Sequence, residues 1–224
     1  MAYPAVSAPY GLIPINLIGG QVFAGATRLI PITSAYDTSI FYGDVVRISS
    51  DGVLVKETGT TTISATGVVG VFLGCTYTNP STKQPIFAQY YPANTVASDI
   101  QAYVADDPDQ LFKVAICSSG TTIGTVGRTA VGQNTALIQN SGSTTSGNSG
   151  VAADDSTATT ASRPLRIIDV IEETATGADA FTEVIVKWNA PYAAATTTAT
   201  GDPLVYTTTV TMTGGHQYLN PTGV

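Results

Sequence analysis

The chain has 224 residues, of which only 11% are charged, and it carries a net charge of −7. Its nine basic residues are scattered along the sequence, so it lacks the clustered cations that a nucleic acid or an anionic membrane requires. No apolar run reaches the length of a membrane-spanning helix, and the first residues lack the pattern of a signal peptide, so we expect a protein made in the cytoplasm.

Residues 1–26 combine three prolines with several large aliphatic side chains and no charged residue. Prolines at this density prevent a helix and discourage a central strand. We therefore expect an extended N-terminal arm, which either binds another subunit or lies as a peripheral strand on its own domain. Its candidate interface residues are Pro9, Tyr10, Leu12, Ile13, Pro14, Ile15, Leu17 and Ile18.

Residues 27–192 are expected to form a β-rich core domain. Its clearest element is a hairpin at 38–57, where two strand-like runs flank a Ser-Asp-Gly turn. The apolar, β-branched run 67–78 predicts a buried strand and is the nearest expected partner of the hairpin. Three charged residues of the hairpin are expected in solvent: Arg47, Lys56 and Glu57.

Further strands are predicted from alternation and from flanking turn residues. They lie at 27–32, 84–91, 93–105, 111–117, 163–173 and 180–188, of which the last two are expected to be antiparallel partners. The segment 93–105 could also form a helical turn, but its pattern fits a strand better. The segment 140–160 is rich in Ser, Thr and Gly, with Val151 as its only large aliphatic residue, and is expected to be a flexible loop unless a neighbour fixes it.

Residues 193–224 are expected to contain a Thr/Ala loop at 193–200, a possible strand at 204–212 and a tail. The tail adds two candidate interface residues, Tyr218 and Leu219. Eight to eleven strands without a confident helix predict an all-β fold: a sandwich or barrel-like core, of the β-tulip or jelly-roll kind, with an extended arm and long loops.

Residue types that carry chemistry are few. The single histidine, His216, lies in a Gly-rich segment and is expected at the surface or an interface, without a catalytic partner. The cysteines, Cys75 and Cys117, lie in apolar runs and are expected to be buried, and a zinc site is excluded. The aspartates at 106, 107 and 109 are expected to form a turn, and calcium binding is the less favoured interpretation. We expect no enzymatic activity and no cofactor.

Trp188 and the carboxylate pairs leave a carbohydrate site as an alternative. Trp188 could present its ring to a sugar, but it alternates with core positions and is therefore expected in the core or at an interface.

Several segments together resemble structural proteins carried by tailed phages of marine and freshwater bacteria, including cyanophages. They are PYGLIPINLIGG, IFYGDVVRIS, DGVLVKE, VVGVFLGCTYT, STTSGNSGVAADDST, RPLRIIDVIEE, AFTEVIVKW and HQYLNPTGV. A shorter pattern, GDVV followed by a Gly-containing turn and VGV, is similar to β-rich decoration proteins on the outside of tailed-phage capsids, which are often trimers. Residues 190–215 depart from this pattern.

The resemblance implies a decoration or cement protein in the virion, made in the host cytoplasm and bound to the capsid exterior. Its implied partners are the major capsid protein and further copies of itself, with a trimer favoured, and neither nucleic acid nor membrane. A tail, fibre or head-tail connector component and a carbohydrate-binding virion domain are the alternatives.

Overall fold

The computed structural model describes residues 8–174, 181–199 and 206–221 of the chain. The strands are β1 (Ile13–Leu17), β2 (Arg28–Pro31), β3 (Val45–Ile48), β4 (Leu54–Lys56), β5 (Gly70–Thr78), β6 (Pro85–Ala88), β7 (Gln101–Ala105), β8 (Gln110–Ser119), β9 (Thr122–Ile123), β10 (Asn134–Thr135), β11 (Leu137–Ile138), β12 (Ala152–Asp154), β13 (Leu165–Ile171), β14 (Glu183–Trp188), β15 (Tyr192–Ala199) and β16 (Tyr206–Thr213). One-turn 3-10 helices occupy Arg128–Ala130, Glu172–Thr174 and Gln217–Leu219.

The predicted all-β fold of barrel or sandwich type is confirmed, with a nearly closed, barrel-like sheet and other sheets. There are more strands than expected because several are only two to four residues long. The described ranges contain no helix long and apolar enough to cross a membrane.

A six-stranded sheet has the order β2-β7-β5-β3-β4, and β6 pairs with the C-terminal half of β5. The predicted hairpin is the pair β3-β4, and β3 also pairs with β5, as the apolar run 67–78 suggested. Because successive side chains of a strand point to opposite faces, the centre of this sheet is buried on both sides. Val45 and Val71 pack into the larger core, whereas Val46 and Phe72 pack into a second core with Tyr91.

An eight-stranded sheet is organised around β8. Its first half pairs with β1 on one edge and β14 on the other, and its second half pairs with β12 and β9. β13 and β14 are antiparallel neighbours, as predicted. Trp188, at the end of β14, packs against Phe112 of β8 with ring centroids 5.5 Å apart, and both lie in the larger core.

The segment 140–160 contributes a strand where a flexible loop was expected. β12 lies between β8 and β11 in the eight-stranded sheet, and Val151, Ala152 and Ala153 are completely buried. A loop was expected because the segment itself has little apolar surface to bury. The neighbouring strands supply the rest, and alanine side chains are small enough to fit between them.

Two hairpin residues expected in solvent are largely buried. Glu57 accepts a hydrogen bond from the backbone N–H of Gly59 at 2.7 Å and lies 3.4 Å from Arg47. Lys56 reaches Asp44, a completely buried carboxylate. The expectation was wrong because strand alternation alone does not reveal that the following loop folds back over the sheet.

Residues 193–199 form most of β15 instead of the loop expected at 193–200, and residue 200 lies outside the described residues. β15 and β16 are paired in antiparallel register along their full lengths, from Tyr192 opposite Thr213 to Ala199 opposite Tyr206. Neither strand pairs with any other strand in the described part of the chain. This two-stranded element is called the ribbon below.

Candidate interaction surface

The predicted N-terminal arm is divided between the core and the surface. Leu12 is completely buried in the larger core, so it is a core residue and not an interface residue. β1 pairs with β8, which favours the alternative of a strand packed on its own domain. Four further predicted interface residues on β1 are partly buried: Ile13, Pro14, Ile15 and Leu17. Residues 1–7 of the expected arm lie outside the described residues.

Tyr10 is bound to its own sheet. Its hydroxyl donates to Oε1 of Glu183, and Nζ of Lys113 lies 3.0 Å from the same oxygen. Burial and then the hydrogen bond to Glu183 raise the pKa of Tyr10, so the phenol is neutral at physiological pH. Pro9 lies beside it in a groove that is also lined by residues of the segment 140–150.

The segment before β1 passes through a tight junction. The Gly11 N–H donates to the Val151 carbonyl at 3.0 Å, and the Leu12 N–H donates to the Gly43 carbonyl at 3.0 Å. Gly11 has a φ of 84°, and a Cβ there would lie 2.7 Å from the Gly43 oxygen. Only glycine therefore fits where the N-terminal segment crosses the turn at 41–44.

Asp44 holds the other side of this junction. Its Oδ2 accepts from the Phe41 N–H at 2.8 Å and from Lys56 Nζ at 2.7 Å, and its Oδ1 accepts from Ser149 Oγ at 2.5 Å. These contacts join the start of β3, the end of β4 and the loop before β12. The carboxylate therefore stabilises the fold at this junction.

The C-terminal segment is fixed to the six-stranded sheet. The Gln217 side chain pairs with the backbone of Ile48, accepting from its N–H at 2.7 Å and donating to its carbonyl at 3.0 Å. His216 is completely buried, so its expected surface position is wrong. The backbone of His216 forms a parallel bridge with Val68, and burial lowers the pKa of the imidazole.

Ile18 and Leu219, 201 positions apart in sequence, lie at one groove. Both were predicted as interface residues, and they are 50% and 54% exposed. Trp188 and Ala190 line the groove between them. Arg166 and Lys187 also line it, so an apolar depression has cations beside it. We call this feature the apolar groove.

Tyr218 lies at a different surface. Its hydroxyl donates to Oδ2 of Asp106 at 2.9 Å, and Nε of Arg28 lies 2.5 Å from the same oxygen. The Arg28 guanidinium also lies 5.4 Å from the centroid of the Tyr218 ring. Burial, followed by the bond to Asp106, raises the pKa of Tyr218 to about 12. The two adjacent predicted residues, Tyr218 and Leu219, therefore belong to separate surfaces.

The aspartates at 106, 107 and 109 do not converge. Asp106 binds Arg28 and Tyr218, whereas Asp109 binds Lys187 at 2.5 Å. No group of three potential metal ligands occurs within the described ranges. The Nδ1 atom of buried His216 accepts a hydrogen bond from the Tyr218 N–H at 3.3 Å.

The β15 half of the ribbon was missed from the sequence, because a loop was expected at 193–200, whereas the described part of the possible strand at 204–212 lies in β16. The signal of the ribbon is a pair of similar runs on either side of a Gly-Asp-Pro sequence at 201–203: three threonines at 196–198, four residues after Tyr192, and three threonines at 207–209, directly after Tyr206. Threonine favours strands, and a Gly-Asp-Pro sequence favours a turn.

Comparisons with known proteins found no matching family model, no matching curated protein and no matching solved structure. Function is therefore inferred from the surface of the molecule and from the sequence resemblance.

Proposed function

We propose that the chain is a non-enzymatic structural protein of a tailed-phage virion, of the decoration or cement type. It binds the major capsid protein on the exterior of the shell and holds the shell against the pressure of packaged DNA. The observation that carries this proposal is the apolar groove, where Ile18 and Leu219 stay half-exposed although the chain buries two large apolar cores.

The groove has the composition of a docking site. Interface centres combine aliphatic and aromatic side chains with few charges, and a polar rim surrounds them. Ile18 and Leu219 offer the aliphatic part, and Trp188, although only 4% exposed, also lines the groove. Arg166 suits an apolar segment of the capsid protein that carries a carboxylate, whereas Lys187 is already paired with Asp109.

The charge distribution supports an exterior position. Six of the nine basic residues pair with carboxylates of the same chain: Arg28, Arg47, Lys56, Lys113, Arg128 and Lys187. Their charge is thus compensated locally, and the molecule as a whole remains acidic. An acidic protein is repelled by DNA and suits the outer face of a capsid better than the inner face.

The test is to add the purified chain to capsids that lack it. We expect the chain to sediment with the capsids and to raise their resistance to heat. Failure to bind, or binding without any gain in heat resistance, would contradict the cement role.

A matched pair of variants locates the contact. The double variant Ile18→Asp with Leu219→Asp places two carboxylates at the apolar groove and is expected to abolish capsid binding. Phe87→Asp makes the same kind of change at a side chain that is 75% exposed on β6 and is expected to bind normally. Equal binding by all three proteins would place the contact elsewhere.

A tail, fibre or head-tail connector component is the second candidate, and the ribbon favours it because an extended element can reach a neighbouring subunit in a ring. Copy number in purified virions separates the two, since a decoration protein covers the shell and a connector forms one small ring. The carbohydrate-binding alternative loses support because Trp188 is only 4% exposed and packs against Phe112, so its ring has no free face for a sugar.

A further inference from the structure

Within the described part of the chain, the ribbon differs from the other strands because neither of its edges pairs with a further strand. β15 and β16 exchange hydrogen bonds only with each other among the described strands. At roughly 3.4 Å per residue, the eight register pairs extend over about 27 Å. An isolated two-stranded ribbon is marginally stable in water, so additional pairing would stabilise it.

The other edge strands carry features that block pairing with further strands. Proline and charged residues at an edge prevent such pairing because they remove a donor or introduce repulsion. Pro14 lies in β1, Arg28 and Pro31 lie in β2, Lys56 lies in β4 and Pro85 lies in β6. The remaining edge strands β9, β10 and β11 have only two residues each.

The ribbon carries none of these features. The strand sequences YAAATTTA and YTTTVTMT contain no charge, no proline and no glycine. Val210, in the second half of β16, is 61% exposed. A long, uncharged edge with strand-favouring residues is a template for pairing with another strand.

The base of the ribbon is fixed to the core, so the free edges have a defined position. On the β15 side, the Asn189 side chain donates to the carbonyls of Ala161 and Arg163 at 3.2 and 3.1 Å. On the β16 side, the Gly214 N–H donates to the Ala65 carbonyl at 2.9 Å. A fixed base lowers the entropy that is lost when the ribbon binds a partner.

We propose that the ribbon pairs edge to edge with the ribbon of a second copy of this chain. The charge of the molecule supports this choice. Two copies with a net charge of −7 repel each other, and the stretch 190–215 contains only one charged residue, Asp202. Copies can therefore approach through their ribbons with the least repulsion, whereas their other strand edges are blocked.

A ring arrangement satisfies the most hydrogen bonds. If β15 of each copy pairs with β16 of the next, a closed ring leaves no ribbon edge unpaired, whereas a two-fold dimer leaves one edge of each ribbon free. The inference concerns contacts between copies of the chain, so it goes beyond capsid binding and can be tested without capsids.

The pairing of β15 with β16 shows where the ribbon can be shortened in a first variant. Tyr192 and Thr213 are opposite each other at the base, so residues 193–212 can be replaced by Asn-Gly without separating the anchored ends. Light scattering over a wide range of concentration should give a multiple of 23.0 kDa for the full chain and a monomer for the shortened chain. A monomeric full chain, or a shortened chain that keeps the full oligomer, would overturn the proposal.

If the shortened chain does not fold, a point variant tests whether copies pair through the ribbon. Val210→Lys adds a like charge to every ribbon edge and should raise the dissociation constant of the oligomer by about tenfold or more. Phe87→Lys is the control, because it adds the same charge at an exposed apolar residue on β6. An unchanged oligomer in the first variant, or equal loss in both, would contradict pairing through the ribbon.

Discussion

Nζ of Lys56 lies 2.7 Å from Oδ2 of Asp44, and the Asp44 side chain is completely shielded from solvent. The carboxylate also accepts hydrogen bonds from the Phe41 N–H and from Ser149 Oγ, so its charge is compensated on several sides. A buried ion pair of this kind contributes little net energy when intact, but the removal of one partner leaves an uncompensated charge.

Asp44→Asn should therefore lower the free energy of unfolding by about 3 kcal/mol, because Lys56 loses its counter-charge inside the protein. Urea denaturation measures this loss. The double variant Asp44→Asn with Lys56→Met should lose less than the sum of the two single variants.

The control is Arg128→Met, which removes a solvent-exposed ion pair with Asp169. Exposed pairs contribute little, so a loss of at most about 0.5 kcal/mol is expected. Equal losses from the Asp44 and Arg128 variants would show that the buried carboxylate does not hold the junction.

Gly11 and Gly20 share a φ of 84° but differ in their surroundings. A Cβ at Gly11 would meet the Gly43 oxygen at 2.7 Å, whereas nothing lies within 4 Å of a Cβ at Gly20. Gly20→Ala should cost only the left-handed backbone strain, about 1 kcal/mol. Gly11→Ala adds the clash with backbone and should cost at least about 3 kcal/mol. Thermal unfolding of the two variants compares them, and similar transition temperatures would contradict the tight junction.

The stability of the protein should fall as the pH is lowered from 7.5 to 5.5. Burial lowers the pKa of His216 below its ordinary value of 6.5, so the unfolded chain binds more protons than the folded chain in this range. The loss from this group reaches at most about 1.4 kcal/mol at pH 5.5.

His216→Asn keeps a side-chain acceptor for the Tyr218 N–H but cannot titrate. Denaturation at the two pH values should show that the part of the pH dependence that arises from His216 disappears in this variant. A variant with the full pH dependence of the original protein would refute the assignment to His216.

Both cysteine thiols should be inert in the folded protein. Burial raises the pKa of Cys75 to about 12 and that of Cys117 to about 11, so almost no thiolate exists at neutral pH. An aromatic disulfide reagent should find no reactive thiol in the native protein and both thiols after denaturation. Rapid reaction of either cysteine in the native state would contradict its buried position.

Strands whose signal lies within a few neighbouring residues could be predicted from the sequence. The β3-β4 hairpin, the buried strand β5 and the β13-β14 pair follow from alternation and turn residues. The two cysteines are free and buried, as predicted from their apolar neighbours. In each case the determining pattern is local.

Features that depend on distant segments could not be predicted. β12 is a strand because β8 and β11 flank it, and His216 is buried because its segment docks beside Val68. The apolar groove forms because the fold brings Ile18 and Leu219, which are far apart in sequence, to the same surface. Their exposure follows from the fold and not from their hydrophobicity, which is equal to that of buried Leu12.

The central position of β8 has a consequence for synthesis on the ribosome. Its neighbours β1 and β14 lie about a hundred residues before it and about seventy residues after it. The eight-stranded sheet therefore cannot close until residue 188 has left the exit tunnel, and β1 has no strand partner until β8 has been made, about halfway along the chain. Contacts this distant in sequence make folding slow, so we expect the nascent chain to need protection from aggregation before the sheet closes.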